Sequence, residues 1–172
     1  NSLTTGNRNV AMGYNALGAE NTGNYNVAIG YGSLDASTGG TSNNTAVGYN
    51  AATSTTSGGN NVAVGYASLQ VNTTGAGNVG IGRQAMDANT TGAEAVGIGE
   101  NALGANTTGN YNVAIGENAL GANTTASNNT AVGRRALLSN TTGASLVAIG
   151  FSALAANTTA NDNVAIGSEA MA

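Results

Sequence analysis

Polar, branched and small residues alternate in short bursts along the chain, and one burst recurs from end to end. It is seen at Asn112-Val113-Ala114-Ile115-Gly116, and its glycine falls at Gly13, Gly30, Gly48, Gly65, Gly82, Gly99, Gly116, Gly133, Gly150 and Gly167. Successive spacings are 17, 18 and then 17 seven times over. A fixed spacing of this size marks a solenoid, in which each repeat is one coil stacked on the last. Within the burst Val113 and Ile115 share one side while Asn112 and Ala114 share the other, the period of two expected of a strand. Gly116 then permits a bend. Ala119-Leu120 is expected to begin a second short extended piece, and Asn123-Thr124-Thr125 a polar loop.

Helix is excluded for Ala-Leu-Gly-Ala, because the apolar pieces are short and glycine cuts them every few residues. Antiparallel hairpins are disfavoured because no Asn-Gly or Asp-Gly dipeptide occurs. The expected fold is therefore all-β, a parallel β-solenoid or β-roll of ten coils of about 17 residues, with residues 1–172 as a single repeat domain. At a rise of about 4.8 Å per coil the rod would be roughly 50 Å long.

The expected core is a ladder of branched residues from the strand, closed by one long side chain four residues after each glycine. Its members are Val27, Ile29, Leu34, Val62, Val64, Leu69, Val79, Ile81, Val113, Ile115, Leu120, Val147, Ile149 and Leu154. Two coils depart from the pattern. One carries Thr130 at the first branched position; the other carries Thr45 there and Ala52 in place of the leucine. This second coil, around Gly48, also closes the 18-residue spacing and is expected to be the least stable.

The residue between the branched pair is always Ala or Gly (Ala28, Ala63, Gly80, Ala114, Ala131, Ala148 and their equivalents), and the residue before the leucine is always Ala or Ser. If the alternation places them outside, such restriction suggests a surface pressed against a second copy. The alternative is a flattened coil too thin for anything larger.

Composition narrows the chemistry. Only 7% of residues are charged, the net charge is −4, and there is no Lys, Cys, His, Trp or Pro. Neither nucleic acid nor an anionic membrane is an implied partner, and no apolar run reaches the roughly 18 residues of a membrane span. Disulfides and thiolate metal sites are impossible, and the eight acids (Glu20, Asp35, Asp87, Glu94, Glu100, Glu117, Asp162, Glu169) do not fall in one column that would align a catalytic dyad. We expect no enzyme, no cofactor and no metal.

Three polar columns remain. The position after each glycine reads Tyr14, Tyr31, Tyr49, Tyr66, Arg83, Glu100, Glu117, Arg134, Phe151, Ser168. Its four tyrosines are a candidate ligand ladder for sugar or protein, against a purely structural reading in which neighbours stack and opposite charges pair. Asn72, Asn89, Asn106, Asn123, Asn140 and Asn157 each open Asn-Thr-Thr, which fits a glycan acceptor, as do Asn43 and Asn128. The same residues suit a tight loop whose side chains bond their own backbone. A second asparagine column precedes the branched pair and is broken by Ala95 and Leu146; it reads as scaffolding through stacked amides.

Asn112-Val113-Ala114-Ile115-Gly116 followed by Ala119-Leu120 resembles the head repeats of trimeric autotransporter adhesins. The fuller form, Asn44-Thr45-Ala46-Val47-Gly48-Tyr49 or Ala136-Leu137-Leu138-Ser139-Asn140-Thr141-Thr142-Gly143, is similar to phage tail-fibre repeats. The resemblance implies a left-handed parallel β-roll with three chains side by side and Val and Ile filling each roll. The 17-residue coil is longer than that of the adhesin heads. The resulting expectation is a structural or adhesive segment of an extracellular, cell-surface or virion fibre, self-associating as a homotrimer and end to end, with a host surface protein or glycan as partner and no membrane insertion. Neither end carries a polar cap, so either a window of a longer fibre or a head-to-tail unit is expected. An ice-binding solenoid with threonine ladders is the rival.

Overall fold

A computed structural model describes residues 5–19, 22–37 and 39–172; the opening Leu3 and Thr4 and the acid Glu20 lie outside them. Each coil contributes one three-residue strand: Val10–Met12 (β1), Val27–Ile29 (β2), Thr45–Val47 (β3), Val62–Val64 (β4), Val79–Ile81 (β5), Val96–Ile98 (β6), Val113–Ile115 (β7), Thr130–Val132 (β8), Val147–Ile149 (β9) and Val164–Ile166 (β10). They form one parallel sheet in sequence order, a β-solenoid of stacked coils. Equivalent residues lie directly over one another. Val113 pairs with Val96 on one side and Thr130 on the other. The 18-residue spacing does not disturb this, because Val27 still pairs with Thr45.

The glycine that fixes the repeat is held twice over. Gly65 has φ of 131°, which side-chain-bearing residues rarely adopt, and a Cβ there would lie 2.5 Å from the Gly82 carbonyl oxygen in the next coil. Coil-to-coil hydrogen bonds continue past the strand: the Leu103 N–H donates to the Ala119 carbonyl (3.0 Å) and the Thr107 N–H to the Thr124 carbonyl (2.8 Å).

The second extended piece does not form. Residues two and four places after the glycine take left-handed conformations, for example Asn101 (φ 53°) and Leu103 (φ 52°), so the chain turns in a tight arc. A left-handed leucine costs about 1–2 kcal/mol. Full burial of its side chain returns about 1.5–3 kcal/mol, and Leu103 is completely buried. Burial wins, and Leu34, Leu69, Leu120 and Leu154 occupy the core as expected.

The branched half of the expected core is inverted. The alternation is real, but Ala114 and Asn112 point inward at 0% exposure. Val27, Ile29, Val62, Val64, Val79, Val113 and Val147 are half-buried on the outer face of the sheet, and Ile81, Ile115 and Ile149 are exposed. Each is covered along the axis by its copies in adjacent coils. Where one copy is missing, at Val10, Met12, Val164 and Ile166, exposure rises to 51–68%.

The small column is correspondingly interior, and Ala28, Ala63, Gly80, Ala114, Ala131 and Ala148 cannot meet a second chain. A Cβ on Gly80 would lie 2.6 Å from Ser68 Oγ and 3.1 Å from Leu69 Cγ, both across the coil. The sheet approaches the leucine arc so closely that only Ala or Gly fits between them. The flattened coil is the correct account of the small residues.

Candidate functional site: side-chain ladders and the outer sheet face

Two asparagine columns fill the half of the interior that leucine does not reach. The first precedes the strand. Its Oδ1 accepts from the backbone N–H of the next asparagine, as Asn44 Oδ1 does from Asn61 (2.8 Å), and its Nδ2 donates to the loop carbonyl closing its own coil, as Asn61 does to Gly75 (2.9 Å). The second opens Asn-Thr-Thr. Here Nδ2 donates both to the asparagine of the preceding coil (Asn89 to Asn72, 2.9 Å) and to a carbonyl three residues on (Asn89 to Gly92, 3.0 Å). The Gly92 carbonyl therefore accepts from Asn78 and from Asn89, so two amides clasp one loop. Paired in this way, groups whose burial would otherwise be costly are satisfied.

This geometry removes the glycan reading of the column. Asn72, Asn89, Asn106, Asn123 and Asn140 are fully buried, and the Nδ2 that a sugar would need is donating within the coil. Asn157 makes the same two bonds, to Asn140 and Ala160. The exposed asparagines of acceptor pattern are Asn43 and Asn128.

Three of the interruptions mark weak points. At Thr55, which stands in the second column, Oγ1 is buried without a partner. Ala95 and Leu146 interrupt the first column, so the Gly109 and Ala160 carbonyls are clasped by Asn106 and Asn157 alone. The coil around Gly48 thus has one of its suspected faults and a new one. Thr45 lies on the outer face, where a hydroxyl is tolerated, while Ala52 does sit buried in the leucine position.

The column after the glycine is a surface ladder. Tyr14, Tyr31, Tyr49 and Tyr66 stack with centroids 5.1–5.4 Å apart and planes within 18°. Ring faces inside the stack are taken by neighbouring rings, so along its length it offers edges and hydroxyls outward. Further along, Arg83 pairs with Glu100 (2.7 Å) and Arg134 with Glu117 (3.3 Å), with Arg134 also lying over Phe151. The Glu100 carboxylate, by hydrogen bond and charge, raises the pKa of the Arg83 guanidinium. These pairs are solvated and worth little individually.

The first Thr of the Asn-Thr-Thr loops from Thr73 to Thr141 is also spent on the axis: Thr73 Oγ1 donates to the Thr90 carbonyl and Thr90 Oγ1 to the Thr107 carbonyl, both at 2.9 Å. Among the described residues no cluster of three or more His, Cys, Asp or Glu side chains is placed to hold a metal ion, and no helix is long and apolar enough to cross a membrane.

Sequence reasoning picked out the two buried asparagine columns and the column after the glycine but missed a third polar ladder, in which Asn24, Ser42, Asn110, Ser127 and Asn161 accept from backbone N–H groups of the preceding coil, and the outer Val/Ile face. Two adjacent columns of branched or thioether side chains, interrupted only by Thr45 and Thr130, run the length of a ten-stranded sheet. At a strand spacing of about 4.8 Å this strip is roughly 45 Å long. The small-residue column was the available signal, and it marks the inside once the thinness of the coil is known. No family model, no curated protein and no solved structure matches the chain.

Proposed function

We propose that this chain is a structural, self-associating segment of an extracellular or virion surface fibre. The observation that carries the reading is the Val/Ile strip. A continuous apolar row along a whole sheet face is what a protein–protein contact requires, whereas isolated exposed apolar residues carry no such meaning. With the Ala/Gly column accounted for inside the coil, side-by-side association moves to this strip, and three chains packing their strips together is the arrangement we favour. The role is mechanical, with adhesion supplied by many identical loops whose weak contacts add through avidity.

The ice-binding alternative is weakened by the threonines, since five of the six Asn-Thr-Thr loops already spend their first hydroxyl on coil-to-coil bonds. No thermal hysteresis is expected. Sedimentation of the intact chain against the triple variant Ile81→Lys, Ile115→Lys, Ile149→Lys tests the association. The unmodified chain should sediment as an oligomer. The variant should sediment as a monomer with the same circular dichroism. A wild-type chain that stays monomeric at every concentration would remove the basis of the reading.

A further inference from the structure

The tyrosine stack has a chemical property that its structural role does not use. Tyr14, Tyr31, Tyr49 and Tyr66 hold four phenols in consecutive coils, each about half-exposed or more, with neighbouring ring centroids 5.2, 5.1 and 5.4 Å apart. The other two tyrosines are placed differently. The Tyr25 ring lies beneath the Arg8 guanidinium, which also donates to its hydroxyl, and Tyr111 has no ring partner among the described residues. The chain has no Cys, Trp or His, so tyrosine and three methionines are its readily oxidised side chains, and Met86 is buried.

We propose that the stack is an oxidative cross-linking site, at which neighbouring tyrosines are joined carbon to carbon as dityrosine by a one-electron-oxidising haem peroxidase using hydrogen peroxide. Each of two adjacent phenols gives up one electron and one proton, leaving a phenoxyl radical with spin on its ortho carbons. The radicals couple through those carbons. The two ortho hydrogens then move to the oxygens as the rings regain aromaticity. One peroxide takes up the two electrons and two protons and becomes two waters, so each link removes two hydrogens from the protein.

The stacked arrangement favours this because both partners are held at contact before either radical forms. Coupling asks only that the rings rotate about their Cβ–Cγ bonds and close slightly. The product would tie a coil to the next in a chain that has no disulfide to do so. The site stands or falls independently of the fibre reading.

The test treats dilute full-length protein with haem peroxidase and hydrogen peroxide, and follows dityrosine fluorescence and intact mass. Cleavage after acidic residues then separates Tyr14 from Tyr31 at Glu20 and Tyr31 from Tyr49 at Asp35, and fragment-ion sequencing of the joined peptides distinguishes Tyr31 from Tyr25, which shares its 21–35 piece. The expected product is a single-chain species lighter by two hydrogens per link, with fragments joined through Tyr14–Tyr31 or Tyr31–Tyr49. The double variant Tyr31→Phe, Tyr66→Phe keeps four stacked rings but leaves no two adjacent phenols. It should form intrachain dityrosine at least about tenfold more slowly, with Tyr25 and Tyr111 still present. Equal rates in the two proteins would overturn the proposal. So would links that use Tyr25 or Tyr111 as readily as the stack, or links found only between chains.

Discussion

The two halves of the coil interior solve the same burial problem by different physics. On one side Leu, Met and Ala fill space against an Ala/Gly wall, and the contacts are non-directional. Met86 and Ala52 stand in leucine positions with no disturbance of the strand register around them. On the other side asparagines act through directed bonds, and one departure, Thr55, leaves a buried oxygen without a partner. An aliphatic seam tolerates changes of shape, whereas an amide ladder responds to loss of a single donor. The repetitive sequence follows from both: leucine gives a thin coil its stability, and asparagine gives it closure.

The largest effect is expected where the amide half has least redundancy. Asn106→Leu removes the donor to Asn89, the acceptor of Asn123 and the lone side-chain clasp on Gly109. Denaturant unfolding should show a loss of about 3–5 kcal/mol, since each buried orphan costs about 1–3 kcal/mol. Asn123→Leu, which removes the equivalent three bonds, should cost roughly 1–2 kcal/mol less, because Asn112 still holds the Ala126 carbonyl. Equal losses would mean that the double clasp has no energetic meaning.

On the aliphatic side Leu103→Ala should cost about 2–4 kcal/mol. Leu103→Met should cost under about 1.5 kcal/mol, as a volume-conserving exchange. A large penalty for methionine would contradict the non-directional account. In the opposite direction, Thr55→Asn extends the second ladder by one rung and supplies Asn72 Nδ2 with a second acceptor. A gain of about 0.5–1.5 kcal/mol in thermal or denaturant melts is expected.

The smallest effect concerns Asp87, outside both halves. Partial burial pushes its carboxyl above the ordinary range, opposed by its own backbone N–H and the Gln84 amide. With the folded value above the unfolded one, its contribution is fully present below the unfolded value near 4 and is lost as pH rises through the folded one. Asp87→Asn should flatten that slope by less than about 0.5 kcal/mol, given its exposure to solvent, as read from melts between acid and neutral pH.

What was legible in the sequence was everything that depends on period. The Gly13-to-Gly167 register, the parallel pairing, the buried leucine column and the stacked tyrosines all follow from spacing. Direction did not follow. Alternation places Val113 and Ala114 on opposite faces without saying which is inside. The larger apolar residue is the natural choice for a core until coil thickness is considered. The arc through Leu103 was also hidden, because leucine has no preference for a left-handed conformation and only burial in the assembled coil holds it there. The asparagine columns were visible as scaffolding, but their inward direction became clear only with the carbonyls they clasp.

The orientation of the strand can be measured directly, because the chain has no cysteine and a single introduced thiol reports on one position. Thiol labelling of Val113→Cys and Ala114→Cys, adjacent residues on opposite faces of β7, is the sharpest comparison. The account predicts that the folded Val113→Cys protein reacts or, in the associated state, forms chain-to-chain disulfides under mild oxidation. The Ala114→Cys protein should stay unreactive until denaturant is added. Ready labelling at position 114 of the folded protein, with position 113 silent and uncrosslinked, would contradict it.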